Sequence, residues 1–164
     1  MKEQIKTDLN KVARFLEKRK MDFKVVGSIA LEVCGLPIGR KPEDIDLEVI
    51  CSNRQEEIFK ALADQYGNNY YTQSEYNLPN CSHKPYIFKF GETKINVWAM
   101  KKFTSERFVE KDGIKYAVVQ DVLRNKLAYK RAKDFSDLLT IIGRLSVVEG
   151  TETTLQGTPV PASV

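Results

Sequence analysis

The sequence predicts one α/β (α+β) domain in which helices pack on a small mixed β-sheet. Segments with helical periodicity alternate with short β-rich runs along the whole chain. Of the 164 residues, 42% are hydrophobic, an ordinary globular share. A chain of about 150 residues is also long enough to bury one self-sufficient core. We therefore expect a single domain over residues 1–147.

The first third of the chain predicts two helices and a strand. Apolar residues recur at helical spacing over 3–20, which predicts a first helix. Phe23–Val26 is a β-rich run that Gly27 ends. Ser28 is then the expected N-cap of a short helix that extends to Cys34.

The middle of the chain predicts a strand, a helix and then a segment without a clear pattern. Residues 45–51 have the composition of a strand. Asn53 and Glu56 have capping-box spacing, which predicts a helix from Asn53 to about Tyr66. Residues 67–84 are polar and rich in Asn and Tyr, and they favour no element.

The last third predicts strands followed by two helices. Alternating aromatic residues over 86–90 and the apolar run 93–99 predict two strands, and Asp112-Gly113 predicts a hairpin turn. Helices are expected over 120–132 and 134–147. The apolar face of the second comprises Phe135, Leu138, Leu139, Ile142 and Leu145. Thr, Gly and Pro dominate residues 148–164, which predicts a disordered tail.

Several classes of protein are excluded by composition. No apolar run approaches the ~18 residues of a membrane helix, and the N-terminus lacks a signal-peptide pattern. We therefore expect no membrane partner and a cytoplasmic location. The three cysteines are widely spaced, which disfavours a zinc site or a disulfide scaffold. A single histidine, His83, disfavours histidine-based catalysis, so catalysis would depend on carboxylates, lysines and bound ions.

Two aspartates open the predicted strand at 45–51. Because side chains alternate along a strand, Asp44 and Asp46 point to the same face, about 6–7 Å apart. Two neighbouring carboxylates repel each other unless a cation lies between them. Oxygen ligands suit Mg²⁺ or Mn²⁺, and two such ions can assist in-line phosphoryl displacement. The alternative for an isolated Asp-x-Asp is a solvated acidic strand edge.

The Gly27-Ser28 turn adds a second feature. Free backbone N–H groups at a helix N-terminus attract phosphate, a glycine allows close approach, and the Ser28 hydroxyl can donate a hydrogen bond. Alone, the pattern suits an ordinary strand–turn–helix with a Ser cap better than a phosphate site. The combination is rarer: strand, Gly-Ser, short helix, a loop with Arg40, and then Asp-x-Asp at the next strand.

This combination resembles the nucleotidyltransferase superfamily, whose fold is DNA polymerase β-like, and in particular its small bacterial members, the minimal nucleotidyltransferases and AbiEii-type toxins. The first matching motif is Val25-Val26-Gly27-Ser28 with Asp44-Ile45-Asp46-Leu47. A second likeness joins Lys126 to Lys133-Asp134-x-x-Asp137-Leu138. The resemblance covers roughly residues 20–145 and implies a nucleotidyltransferase fold with two C-terminal helices.

The resemblance implies a reaction and roles for these residues. Gly27 and Ser28 would hold the phosphates of a nucleoside triphosphate, and Asp44 and Asp46 would be the catalytic metal ligands. A nucleoside monophosphate would pass to an acceptor hydroxyl of a small molecule, protein or RNA. A third acid is expected on a later strand, but Asn96 stands there, and an amide cannot act as a general base.

The substitution leaves two interpretations open. One is an impaired nucleotidyltransferase, with Glu48 or Glu92 as weak substitutes for the missing acid. The alternative is a degenerate member that binds nucleotide or a partner protein, as in a toxin–antitoxin system. The acceptor stays unknown, and a protein partner or a homodimer would complete the small cleft.

Residues 119–133 carry five basic residues and one acid. Lys126 and Lys130 continue the apolar stripe of the predicted helix, so they would contact phosphate or extend over the apolar surface into water. Arg40 would contact phosphate or stay a solvated loop cation. Lys133 and Asp134 are expected at a structural helix junction, with Asp137 paired to Arg131 or a lysine. So few charges give only weak nucleic-acid binding, so nucleic acid is expected only as an acceptor.

Overall fold

The computed structural model describes residues 1–36, 38–51, 55–66, 70–72 and 85–156. The described residues form five helices: α1 Glu3–Lys18, α2 Gly27–Val33, α3 Gln55–Gln65, α4 Val119–Tyr129 and α5 Ala132–Gln156. They form seven strands: β1 Phe23–Val26, β2 Asp44–Ile50, β3 Tyr70–Thr72, β4 Tyr86–Phe90, β5 Thr93–Met100, β6 Val109–Lys111 and β7 Ile114–Tyr116. The mixed α/β class predicted from the sequence is confirmed.

The seven strands make one mixed sheet in the order β3-β4-β5-β2-β1-β7-β6. Parallel pairs join β2 to β5 and β1 to β7, and the remaining neighbours are antiparallel. The strands β1 and β2 therefore lie near the centre of the sheet, although they come from the first third of the chain. The predicted hairpin at Asp112-Gly113 is present, and both residues have positive φ, as a type I′ turn requires.

The two faces of β2 have opposite character. Ile45, Leu47 and Val49 are fully buried in the core. Helix α1 packs against β2 and β5 and contributes an apolar stripe of Ile5, Leu9, Val12 and Leu16 to this core. The other face of β2 carries Asp44, Asp46 and Glu48. This polar face is where the candidate site lies.

Several predicted boundaries differ from the structure. Helix α2 begins at Gly27 after the N-cap residue Val26, so Ser28 is not the N-cap. Helix α4 ends at Tyr129 because Lys130 adopts a left-handed conformation with φ of 54°. The proposed Asn53 cap, His83 and residues 157–164 lie outside the described residues.

The last helix departs most from its predicted form. It extends to Gln156, beyond the predicted end at 147 and into the segment expected to be a disordered tail. Three residues of its predicted apolar face, Phe135, Leu139 and Ile142, are exposed, while Ile141, outside that face, is buried. The other two, Leu138 and Leu145, are half-buried, and Leu145 packs against the core. The reason is electrostatic: α5 turns Asp134 and Asp137 inward to meet Lys126, and Ile141 follows them on the same face.

None of the helices in the described residues is long and apolar enough to cross a lipid bilayer.

Candidate active site

The two aspartates lie at the start of β2, in the centre of the sheet. Asp46 is paired with Val26 of β1 on one side and with Asn96 of β5 on the other. Both Asp44 and Asp46 are half-buried, and the intervening Ile45 is fully buried in the core. Strand alternation therefore presents the two carboxylates on the same open face, as the sequence predicts.

The Gly27 turn lies directly against Asp46. Gly27 has φ of +72°, which residues with a side chain rarely adopt. A Cβ atom at this position would lie 2.5 Å from Oδ2 of Asp46. Only glycine satisfies both constraints, so the turn at the start of α2 and the acidic pair form one continuous surface.

Asn96 occupies the position of the expected third acid. Its side chain is 1% exposed, and its Nδ2 donates a hydrogen bond of 2.8 Å to Oδ1 of Asp46. Its own Oδ1 is buried and has no partner in the described part of the chain. Burial raises the pKa of Asp46, an effect that the hydrogen bond from Asn96 partly offsets. The strand therefore supplies a neutral amide where a further carboxylate would bring negative charge.

The donor set around Asp46 fits an oxygen-ligated divalent cation. Among the described residues, no group of three or more His, Cys, Asp or Glu side chains could hold a metal. Asp44, Asp46 and the unpartnered Oδ1 of Asn96 nevertheless provide oxygen atoms from two neighbouring strands. Mg²⁺ and Mn²⁺ prefer such ligands and usually keep several waters. The set contains only two anionic ligands.

Lys126 of α4 reaches the phosphate-binding turn predicted at α2. Its side chain is 7% exposed, and its Nζ donates to Ser28 Oγ at 3.3 Å and to Asp137 Oδ2 at 2.8 Å. Asp134 Oδ1 lies 3.6 Å from the same Nζ. The predicted pairing of Asp137 with a lysine is confirmed, and Lys126 is held between two carboxylates and a hydroxyl.

Arg40 is joined to the same cluster. Its Nε and Nη2 donate to the two oxygens of Asp137 at 3.0 and 2.9 Å, a bidentate pair. Arg40 is therefore paired with a buried carboxylate, while its own side chain stays 41% exposed. Burial alone would raise the pKa of Asp137, but the hydrogen bonds from Arg40 and Lys126 hold that pKa below its ordinary value. The loop before Asp44 is thereby attached to α5.

The basic residues at the α4–α5 junction differ in their positions. Lys130 lies at the exposed end of α4, outside the helix whose spacing predicted its orientation. Arg131 donates to Asp134, which also accepts the backbone N–H of Arg131 and so caps the start of α5. The charges of Lys133 and Arg131 oppose, without reversing, the rise in the pKa of Asp46 that burial causes.

Lys133 is the functional candidate that the sequence argument underestimated. Burial and the nearby charge of Arg131 lower the pKa of Lys133, while Asp44 and Asp46 act in the opposite direction. Its ammonium group is thus within electrostatic range of the acidic pair. In the sequence, Lys133 could have been singled out because it immediately precedes Asp134. Asp134 anchors the start of α5 at the site.

Glu48, the possible substitute acid, is already engaged. It is 6% exposed, and its Oε1 accepts the backbone N–H of Thr104 at 2.7 Å. A small cavity of about 30 Å³ lies beside it, lined in part by Lys24, Ser105 and Asp121. Glu92 is exposed in the turn between β4 and β5. Neither residue takes the place of the missing acid next to Asp46.

Comparison with known protein structures identifies the fold of this chain. No protein-family model and no curated protein matches the sequence. The chain is similar to the solution structure of the antibiotic-resistance factor ANT(2″)-Ia, with a TM-score of 0.62, 12% identity, and coverage of 96% of this chain and 97% of that one. A crystal structure of ANT(2″)-Ia with adenylyl-2″-tobramycin gives 0.58 at 12% identity, covering 85% and 88%. The structure of JHP933 from Helicobacter pylori gives 0.48 at 15% identity, covering 84% and 66%. The similarity to the two ANT(2″)-Ia structures shows that the chain has the nucleotidyltransferase fold.

Proposed function

We propose that this chain is a metal-dependent nucleotidyltransferase that transfers a nucleoside monophosphate from a nucleoside triphosphate to an acceptor hydroxyl. The observation that carries the proposal is the contact between the Gly27 turn and Asp46, because it joins a phosphate-binding feature to a metal-binding one. The shared fold with ANT(2″)-Ia supports it. A basic cluster of Lys126, Arg131 and Lys133 lies around the same turn and acidic pair.

Each group has a role in this reaction. Asp44, Asp46 and Oδ1 of Asn96 would hold Mg²⁺ or Mn²⁺, which supplies charge neutralisation at the phosphates. The backbone of Gly27 and the hydroxyl of Ser28 bind phosphate oxygens. Lys133 and Arg131 stabilise the negative charge that grows on the departing pyrophosphate. Lys126, which is buried, and Arg40, which is 41% exposed, are both paired with Asp137.

Calorimetric titration with ATP, GTP, CTP and UTP, each with Mg²⁺, tests the proposal. We expect binding of at least one triphosphate that is lost when EDTA removes the metal. Asp44→Ala and Asp46→Ala should each abolish it, because each removes a metal ligand. Asp64→Ala, at an exposed position on α3, is the matched control and should bind normally. Binding that persists unchanged in both site variants would refute the metal-bound mode.

A second function is favoured by the hydrogen bond from Asn96 to Asp46. The amide of Asn96 donates to Asp46 and cannot deprotonate an acceptor hydroxyl. This property suits a protein that binds nucleotide or a partner protein without turnover. Such a protein would act as a component of a toxin–antitoxin pair or as a homodimer. Under the first proposal the acceptor is a small molecule, a protein or an RNA.

The variant Asn96→Asp separates the two functions. It restores the third carboxylate next to Asp46, which can act as a general base. Because general-base catalysis contributes about 100-fold or more to a rate, we expect pyrophosphate release in this variant to exceed that of the wild type at least tenfold. Asn125→Asp, a half-buried amide on α4, is the matched control. Release only in Asn96→Asp supports the degenerate function, whereas efficient release by the wild type rules it out.

A further inference from the structure

The hydroxyl of Ser28 has a defined orientation in this structure. Lysine carries only donors, so in the 3.3 Å contact Lys126 Nζ donates and Ser28 Oγ accepts. The O–H hydrogen of Ser28 must then point away from Lys126. Ser28 is in the first turn of α2 and directly follows Gly27, the residue that lies against Asp46, so this arrangement leaves the hydroxyl free to donate to an oxyanion at the turn.

Lys126 depends on its partners to stay in this position. Its side chain is almost completely buried, and an unpaired ammonium there would carry a large desolvation cost. Asp137 accepts its shortest hydrogen bond, at 2.8 Å, and Asp134 lies further away at 3.6 Å. The position of the ammonium group, and therefore its contact with Ser28, is determined mainly by Asp137.

Asp137 is in turn held by Arg40. The carboxylate is 2% exposed and receives three hydrogen bonds, two from Arg40 and one from Lys126. These contacts connect the loop before Asp44, helix α4 and helix α5. A carboxylate with both oxygens engaged by cations has little freedom to rotate, so it is a rigid support for Lys126.

We infer that Asp137 is a positioning residue for nucleotide binding: through Lys126 it orients the Ser28 hydroxyl as a hydrogen-bond donor to a phosphate of the triphosphate. Asp137 itself touches no phosphate. The inference rests on the proposed function, because it assigns a support to the phosphate site of that function.

A double-mutant cycle between Ser28→Ala and Asp137→Asn tests it, with the Kd of the Mg²⁺ triphosphate that binds the wild type most tightly as the readout. Each single variant should weaken binding about tenfold, as expected for one hydrogen bond to a charged group. The double variant should be no weaker than either single one, since both remove the same donor. Lys126→Met should show the same lack of additivity with Ser28→Ala, and it covers the case in which Asp137→Asn does not fold.

Asp121→Asn is the control for general loss of a buried ion pair. Asp121 is also a buried carboxylate paired with an arginine, but among the described residues it shares no hydrogen bond or ion pair with Lys126 or Ser28. Its effect should therefore be additive with Ser28→Ala. If the losses of Ser28→Ala and Asp137→Asn add up to about 100-fold in the double variant, the inference is overturned but the proposed function is not. Absence of triphosphate binding by the wild type would overturn the proposed function together with it.

Discussion

Gly27 is the residue at which the backbone and the acidic pair constrain each other. Its positive φ disfavours any side chain, and the carboxylate of Asp46 occupies the space that a Cβ would need. Gly35, at the other end of α2, shares the first constraint with φ of +82° but has nothing within 4 Å of its Cβ position. Substitutions at the two glycines therefore separate the free-energy cost of the left-handed backbone from the cost of a clash with Asp46.

Gly27→Ala should damage the site more than Gly35→Ala. Both variants place alanine in the left-handed region, which costs about 1–2 kcal/mol of folding free energy. Only Gly27→Ala must also displace the carboxylate of Asp46, so it should abolish triphosphate binding, while Gly35→Ala should bind like the wild type. Chemical denaturation and calorimetric titration of both variants provide the measurements. If the two variants bind the triphosphate equally well, the contact between Gly27 and Asp46 does not contribute to binding.

Some residues of the site could be predicted from the sequence, and others could not. Strand alternation was sufficient to place Asp44 and Asp46 on one face, because this relation follows from local backbone geometry. The position of Asn96 beside them was implied by the family resemblance, since it depends on the pairing of β2 with β5. The partnership of Arg40 with Asp137 joins residues 97 positions apart. It depends on how α5 packs against the loop before β2, and no local pattern carries that information.

At the scale of elements, α5 shows how a buried ion pair changes the orientation of a helix. Apolar residues alone predicted a core-facing stripe of Phe135, Leu138, Leu139, Ile142 and Leu145, of which only Leu138 and Leu145 are half-buried. In the structure the helix presents Asp134, Asp137 and Ile141 to the rest of the protein, because Lys126 needs carboxylate partners. The hydrophobic periodicity was read correctly as a helix, but its direction was set by the charged residues.

The adjacent isoleucines of α5 provide a direct check of this orientation. Ile141 is 1% exposed and Ile142 is 58% exposed. Ile141→Ala should lower the free energy of unfolding by about 2–5 kcal/mol, because it leaves a cavity in the core. Ile142→Ala should change it by no more than about 0.5 kcal/mol. Urea denaturation of the two variants measures both values, and the reverse order would mean that α5 is turned towards its predicted face.

At the scale of the whole molecule, a net charge of +4 is an incomplete description. Residues 119–133 carry five basic residues and one acid, but the aspartates of α5 pair with two of these bases, Lys126 and Arg131. Lys126 contacts Ser28 beside the Gly27 turn, and Arg131 and Lys133 act electrostatically on Asp46. Composition and periodicity were enough to predict the fold class and most elements, since helices and strands have local signatures. The order of strands in the sheet required the structure, because it depends on pairings between distant segments.

The parallel pairing of β1 with β7 has a consequence for how the protein folds. It joins Val25 to Tyr116, about 90 residues further along the chain, and Ala117 N–H donates to the carbonyl of Val25 at 2.8 Å. Contacts between such distant segments form slowly, because a long loop must close first. The strand that leads into the Gly27 turn therefore acquires its second neighbour late. Lys126 and Asp137 follow later still in the chain, so the acidic pair is synthesised early but its basic surroundings assemble among the last parts of the fold.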